Sequence, residues 1–379
     1  MNKKNIIFYL IMVATLFNVG CENPESGDEF PPTSITYSEI YSVNSDGTDL
    51  RQRTDGKNFI HYADFIPNSN KIFFVQTGIN FNGSNQINGE QVICTMDLAT
   101  DAIDTIVQAN IYNGVTYVNE SRDDQPRSIV ISQDGKKLYY AGRLPDMWSD
   151  RKGIYCVDLQ TKQISSVITA ENGLRVEHFK LSFDETKLVF TEYDANTKTS
   201  FLYIMDLNGN NKKLLGSSVS SEYCFPQLLS DNKEVVYIER NGENILKVID
   251  IDSLTTKSVT TLDPVINFFT ELTTDNNIII NLSDDNPSPV LFNVFTKEQR
   301  NLEIPSISNP FFNKLRNNIL YFESKWVMKK ESISATQKTT IFSFTSKSGS
   351  THVPQSSYTD DKIIFINKNT FTIKFGEIK

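Results

Sequence analysis

The sequence predicts an all-β fold: a β-propeller of about seven four-stranded blades, its ring closed by strands from both ends of the chain. Three observations predict it. Two short patterns alternate along the chain, with a unit of roughly forty to sixty residues. The apolar runs are short and rich in Ile, Val, Phe and Tyr, with turn residues at fixed offsets. No stretch of the mature chain shows helical periodicity.

The first pattern is a polar turn followed by an apolar strand. It reads Asn68-Ser-Asn-Lys-Ile-Phe-Phe, Gln133-Asp-Gly-Lys-Lys-Leu-Tyr-Tyr and Phe183-Asp-Glu-Thr-Lys-Leu-Val-Phe. It returns from Ser230, Thr274, Arg316 and Thr359. The second pattern is a strand ending in Asp or Asn and then a turn. It starts at Ile40, Ile93, Ile154, Leu202 and Leu246, with weaker copies at Leu291 and Ile341. Asp-Gly, Asn-Gly and Asp-Asn pairs suit tight hairpins because those residues tolerate positive φ. Weaker strands such as Lys212 to Leu215 and Phe225 to Leu229 bring each unit to four. One such sheet cannot bury both faces alone; seven arranged radially can, and closure removes the sheet edges.

These motifs resemble the TolB-type propeller repeat over about Ser38 to Lys379, and Ser132-Gln-Asp-Gly is the best-preserved copy of its Ser-Pro-Asp-Gly turn. The resemblance implies the fold, while such repeats serve many roles. The strands at Ile40 and Leu50 precede the first complete blade. They are expected to complete the last one beside Phe371 to Glu377.

The N-terminus reads differently. Lys3 and Lys4 precede an apolar run from Ile6 to Phe17, and Gly20 precedes Cys21. A run of about twelve residues is too short to span a bilayer, which needs about twenty, and the arrangement describes an export signal over residues 1–20. Gly20-Cys21 resembles the lipobox of bacterial lipoproteins, which implies lipidation of Cys21. Asn18 stands where that pattern has an aliphatic residue, and an ordinary cleaved signal is the alternative. Residues 21–36 are acidic and rich in Pro and Ser, a tether. They also resemble the surface-export signal of Bacteroidota lipoproteins. The propeller is then expected over 37–379, on an exported protein held to the cell envelope at the outer membrane, with the lipid as its only membrane contact.

A net charge of −9 argues against a nucleic-acid partner. Cys94, Cys156 and Cys224 follow no disulfide or zinc spacing and read as buried strand residues.

If the strands of a blade are lettered A to D from the inside, the A–B and C–D turns share one end of the propeller, and the B–C and D–A connections share the other. Four long insertions are expected at the second end: Thr77 to Glu90, Asn110 to Gln125, Gly142 to Lys152 and Ser324 to Gln337. Long loops on a rigid scaffold are where binding usually resides. Trp148 and Arg151, Trp326, and Tyr117 with Arg122 and Arg127 are the candidates there, because aromatic platforms flanked by charge suit sugars or peptides. His61 and His178 start inner strands, and His352 just precedes one. Oligogalacturonate lyases share this architecture and carry a histidine-based metal site, yet the three histidines fall in the first, third and last blades and lack the clustering a metal needs. No Gly-x-Ser-x-Gly elbow or Gly-rich phosphate loop is present. No cofactor, catalytic residue or metal ligand is assigned. The expected role is non-catalytic binding of a protein or glycan on the long-loop face. The alternative is a glycan-active lyase or hydrolase at the channel mouth.

Overall fold

A computed structural model describes residues 33–56, 58–77, 91–107, 129–142, 153–169, 174–262, 266–269, 272–282, 289–302, 304, 311–312, 318–324, 327–333, 338–343, 350–359 and 361–373. The chain divides into two compact units. Thr36–Asn369 is one. Met1–Ile35 with Thr370–Lys379 is the other, and of it only residues 33–35 and 370–373, the tips of two strands, are described.

Seven antiparallel four-stranded sheets make the blades of a β-propeller. Blades 1 and 2 begin at Phe59–Phe65 and Ile129–Ile131. Blade 3 shows the full pattern in Leu174–Leu181, Lys187–Asp194, Thr199–Asp206 and Lys213–Ser218. Blades 4, 5 and 6 begin at Glu222–Leu228, Ile266–Phe269 and Phe311–Phe312. Blade 7 is composite. Its strands A and B are Ser350–Ser356 and Lys362–Ile373; its strands C and D are Thr33–Asn44 and Arg51–Gln52. Both chain ends therefore close the ring, as expected. The pairing strand starts at Lys362 rather than at Phe371, and residues 374–379 lie outside the described residues.

Burial follows the strand period of two. Leu188 and Phe190 of blade 3 pack on blade 2, while Val189 between them packs on blade 4. The buried apolar side chains fall into seven clusters, and each bridges one pair of adjacent blades. Cys94, Cys156 and Cys224 are buried in these seams outside any disulfide, and burial pushes the Cys94 and Cys156 thiols up.

The turns repeat in atomic detail. In the A–B turns, Ser132 Oγ donates to Asp134 Oδ1 at 2.6 Å and accepts from Lys137 N at 2.9 Å. Ser182 with Asp184 and Lys187 repeats those distances. In the C–D turns, Asp158 and Asp250 accept backbone N–H from Thr161 and Ser253, each at 2.7 Å. These bonds hold the carboxyls of Asp134, Asp184, Asp158 and Asp250 below the usual carboxylate range. Folded values below unfolded ones mean stability that is present at neutral pH and lost as pH falls through them.

The A–B turns also join blade to blade. Asn68 Nδ2 reaches Gln133 O (3.4 Å), Gln133 N reaches Glu185 Oε1 (2.6 Å), Asn232 Nδ2 reaches Asp184 Oδ2 (2.8 Å), and Ser230 N reaches Asn276 Oδ1 (3.1 Å). Further out, cations on outer segments cap the next blade's C–D turn. Arg53 binds Leu98 O (2.9 Å), Lys213 binds Ile251 O (2.6 Å), and Arg300 binds Ile333 O (3.3 Å).

Blade 6 corrects one expectation. Ser324 to Gln337 is not a long insertion. It holds strand C, Val327–Ser332, and the run at Ile341 belongs to strand D, Lys338–Ser343. Strand C escaped recognition because Lys329, Lys330 and Glu331 interrupt its apolar character. Glu331, 2 % exposed, is held by Arg300 of blade 5 at 3.0 Å, so an ion pair stands where other blades use apolar contact.

Gly135 sits at φ 70°, and a Cβ there would lie 2.4 Å from Pro67 O of blade 1. Gly135→Ala is expected to cost more than about 1 kcal/mol through backbone strain and a forced opening of the seam between blades 1 and 2. Thermal unfolding measures it; an unchanged Tm would contradict the packing.

Candidate functional site

The B–C and D–A connections that open blades 1 and 2 span 78–90, 108–128 and 143–152. They carry Trp148, Arg151, Tyr117, Arg122 and Arg127, which lie outside the described residues, as do Trp326 and Cys21. His61 falls in the backbone of blade 1 strand A, at a register shift between Ile60 and Tyr62; its side chain lies outside the described residues. The structure thus places His178 alone among these side chains.

His178 is packed rather than presented. It is 7 % exposed, its N donates to Thr191 Oγ1 (3.2 Å), and its ring stacks on Phe225 of blade 4 at 5.0 Å. The Arg240 guanidinium covers the same phenylalanine at 5.7 Å. Phe225 precedes Pro226 and has φ 54° within a register shift of its strand. A bulky residue with positive φ stores backbone strain, and bulges re-aim strands near functional sites. Inner strands shift register repeatedly. Blades 1, 3, 4, 5 and 7 each do so within strand A.

At that end of blades 3 and 4 the chain collects charge. Glu177 is the extra residue in the register shift of blade 3 strand A, between Val176 and His178. Its carboxylate takes Arg175 Nη2 at 2.8 Å and Nε at 3.0 Å, and its side chain is only 15 % exposed. Arg175 in turn lies 4.9 Å over the Tyr193 ring. Burial pushes the Glu177 carboxyl up; Arg175 opposes this, and the nearby Glu222 carboxylate of blade 4 adds to it. In blade 4, Lys247 pairs with Glu239 at 2.7 Å, and Ser221 Oγ donates to the same carboxylate at 3.2 Å. Guanidinium groups, carboxylates and strained aromatic backbone thus share the end that carries the long connections. Among the described residues no group of three or more His, Cys, Asp or Glu is placed to hold a metal ion. Sequence reasoning missed Glu177 and Phe225. Pro226 inside an apolar strand was the available signal, since proline in an inner strand marks a bulge.

No family model and no curated protein matches the chain. Solved structures do. TolB from Acinetobacter baumannii is similar over 69% of this chain and 62% of its own, at 14% identity and TM-score 0.44. Oligogalacturonate lyase from Vibrio parahaemolyticus is similar over 90% of this chain and 98% of its own, at 11% identity and TM-score 0.41. A puromycin hydrolase S511A mutant is similar over 89% of this chain at 10% identity and TM-score 0.55. This chain spans 58% of that hydrolase's length. At such identities the likeness shows the propeller fold, and a fold of this kind names no activity.

Glu177 sets a pH dependence. Its folded value lies above its unfolded one, so its contribution is present below about 4.3, the ordinary glutamate value, and is lost as pH rises through the raised value. Glu177→Gln removes that loss. The variant's Tm relative to the parent should be higher at pH 7.5 than at pH 4; the opposite order would contradict the buried placement.

Proposed function

We propose that this chain is a non-catalytic lipoprotein of the cell envelope whose propeller binds a protein or glycan partner at its loop-bearing end. One observation carries the reading. The described A–B and C–D turns are short and tied to one another by hydrogen bonds, whereas the connections 78–90, 108–128 and 143–152 all belong to the opposite end. A rigid ring with one closed end and one elaborated end suits recognition on the elaborated side. The mixed charges of Arg175, Glu177 and Glu222 border that side and suit a polar partner. Lys3, Lys4, the apolar run and Gly20-Cys21 support export and lipidation, and the acidic tether supplies reach between lipid and ring.

Two experiments test this. A photo-crosslinking amino acid at Trp148 should capture a partner in cells of the native host, and one at Asn208, in a C–D turn, should not. Adducts of equal yield from both positions, or from Asn208 alone, would overturn the sidedness. Cys21→Ala should move the protein from the membrane to the soluble fraction; unchanged fractionation would overturn the anchor.

A further inference from the structure

Two Asn-Gly pairs fall among the described residues, one at each end of the propeller. Asn208 and Gly209 lie in the C–D turn of blade 3, between Thr199–Asp206 and Lys213–Ser218. Asn241 and Gly242 lie in the B–C connection of blade 4, between Glu234–Arg240 and Asn244–Asp250. All four residues are exposed, so access to water does not separate the two pairs. Their hydrogen bonds do.

An asparagine followed by glycine can close on itself. The glycine backbone nitrogen attacks the asparagine Cγ, the Cγ–Nδ2 bond breaks, and ammonia leaves with the proton that the nitrogen gives up. The cyclic imide then takes one water and opens. It gives aspartate, or isoaspartate, in which the main chain runs through the former side chain. The reaction needs a nitrogen that no acceptor holds and no Cβ shields, and a carboxamide able to turn toward it. Gly209 does not meet this. Its N donates to Asp206 O at 2.9 Å, Asn208 Oδ1 accepts from Asn210 N at 3.0 Å, and Val167 O of blade 2 stands 3.0 Å from where a Cβ would be. Gly242 does. Neither its N nor the Asn241 carboxamide makes a hydrogen bond to any described residue, and nothing lies within 4 Å of the place of a Cβ. The tip is closed instead from Asn241 N to Glu243 O at 2.9 Å, a bond that bypasses Gly242, which takes φ 71°.

We propose that Asn241 is a modification site: attack by Gly242 N and addition of one water convert its carboxamide to a carboxylate with loss of ammonia, while its turn protects Asn208. The product places a negative charge between Arg240 and Gly242, at the end that carries the long connections, and leaves the C–D turn of blade 3 unchanged. Isoaspartate also adds one main-chain atom to a connection of three residues, which shifts the closure between Asn241 N and Glu243 O. The inference depends on no reading of what that end binds.

Mass spectrometry tests it on the full chain, incubated folded in heavy-oxygen water and then cut by a lysine-specific protease at acidic pH, where imide formation is slow. The fragment 234–247 should take up heavy oxygen at Asn241, as a mixture of aspartate and isoaspartate. The fragment 199–212 should do so at least about fivefold more slowly, the worth of the Gly209 hydrogen bond. In denaturant the two rates should converge, because both pairs are Asn-Gly and only the fold separates them. Asn241→Gln should abolish uptake in 234–247 and leave 199–212 as it was, since the longer side chain closes its ring far more slowly. No uptake in 234–247 of the folded chain, equal rates in the folded chain, faster uptake in 199–212, or a gap that persists in denaturant would overturn it.

Discussion

Contact between neighbouring blades is the constraint from which the rest follows. A four-stranded sheet has two apolar faces, and among the described residues no helix covers either. Each face is buried only because another blade stands against it, and the seven clusters of buried side chains are those contacts. Burial of this kind is non-directional and stabilises by about 25 cal/mol per Å² of apolar surface. It sets that blades pack, but not at what rotation. Directional polar contacts join the same blades at one end: the A–B turn bonds through Asn68, Gln133, Asp184 and Asn276, and the outer caps of Arg53, Lys213 and Arg300.

That division of labour explains the asymmetry of the two ends. Turn residues committed to neighbouring blades cannot lengthen or drift without loosening a seam. The long connections 78–90, 108–128 and 143–152 are all of the B–C and D–A classes. Glu177 and Phe225 sit at register shifts of the inner strands, and both hold arrangements that a purely structural strand would avoid: a buried carboxylate and a positive φ.

The blades were legible in the sequence because their determinants are local. Asn68, Gly135 and Asn232 take the positive φ that their types permit, and Ser132 and Ser182 make the bonds their spacing from Asp134 and Asp184 implies. What was not legible depends on partners far along the chain. In the C–D turns, Lys162, Leu254 and Lys297 adopt φ near 60° with no compositional sign, forced by the bond from each N–H to the carbonyl four residues earlier. Strand C of blade 6 reads as polar, and only Arg300 makes Glu331 a seam residue. The charged cluster of blades 3 and 4 joins residues about fifty positions apart, beyond the reach of any spacing argument. Of the site residues singled out by type, His178 is the one whose side chain is described, and it stacks on Phe225.

The composite blade has a consequence for how the chain comes to its final form. Ile40 and Tyr41 lie beside a strand that starts more than three hundred residues later, and Asn367 Nδ2 reaches Glu39 Oε2 at 3.3 Å across that joint. Blades 1 to 6 can assemble from contiguous sequence, but the last two strands of blade 7 must wait for its first two. Loop-closure entropy makes that step late and slow. For a chain made vectorially, the ring stays open, with its first and last seams uncovered, until synthesis or transport has delivered almost every residue. Closure is then a single event that fastens start to finish, so loss of a short C-terminal segment would leave the N-terminal strands with nothing to pair.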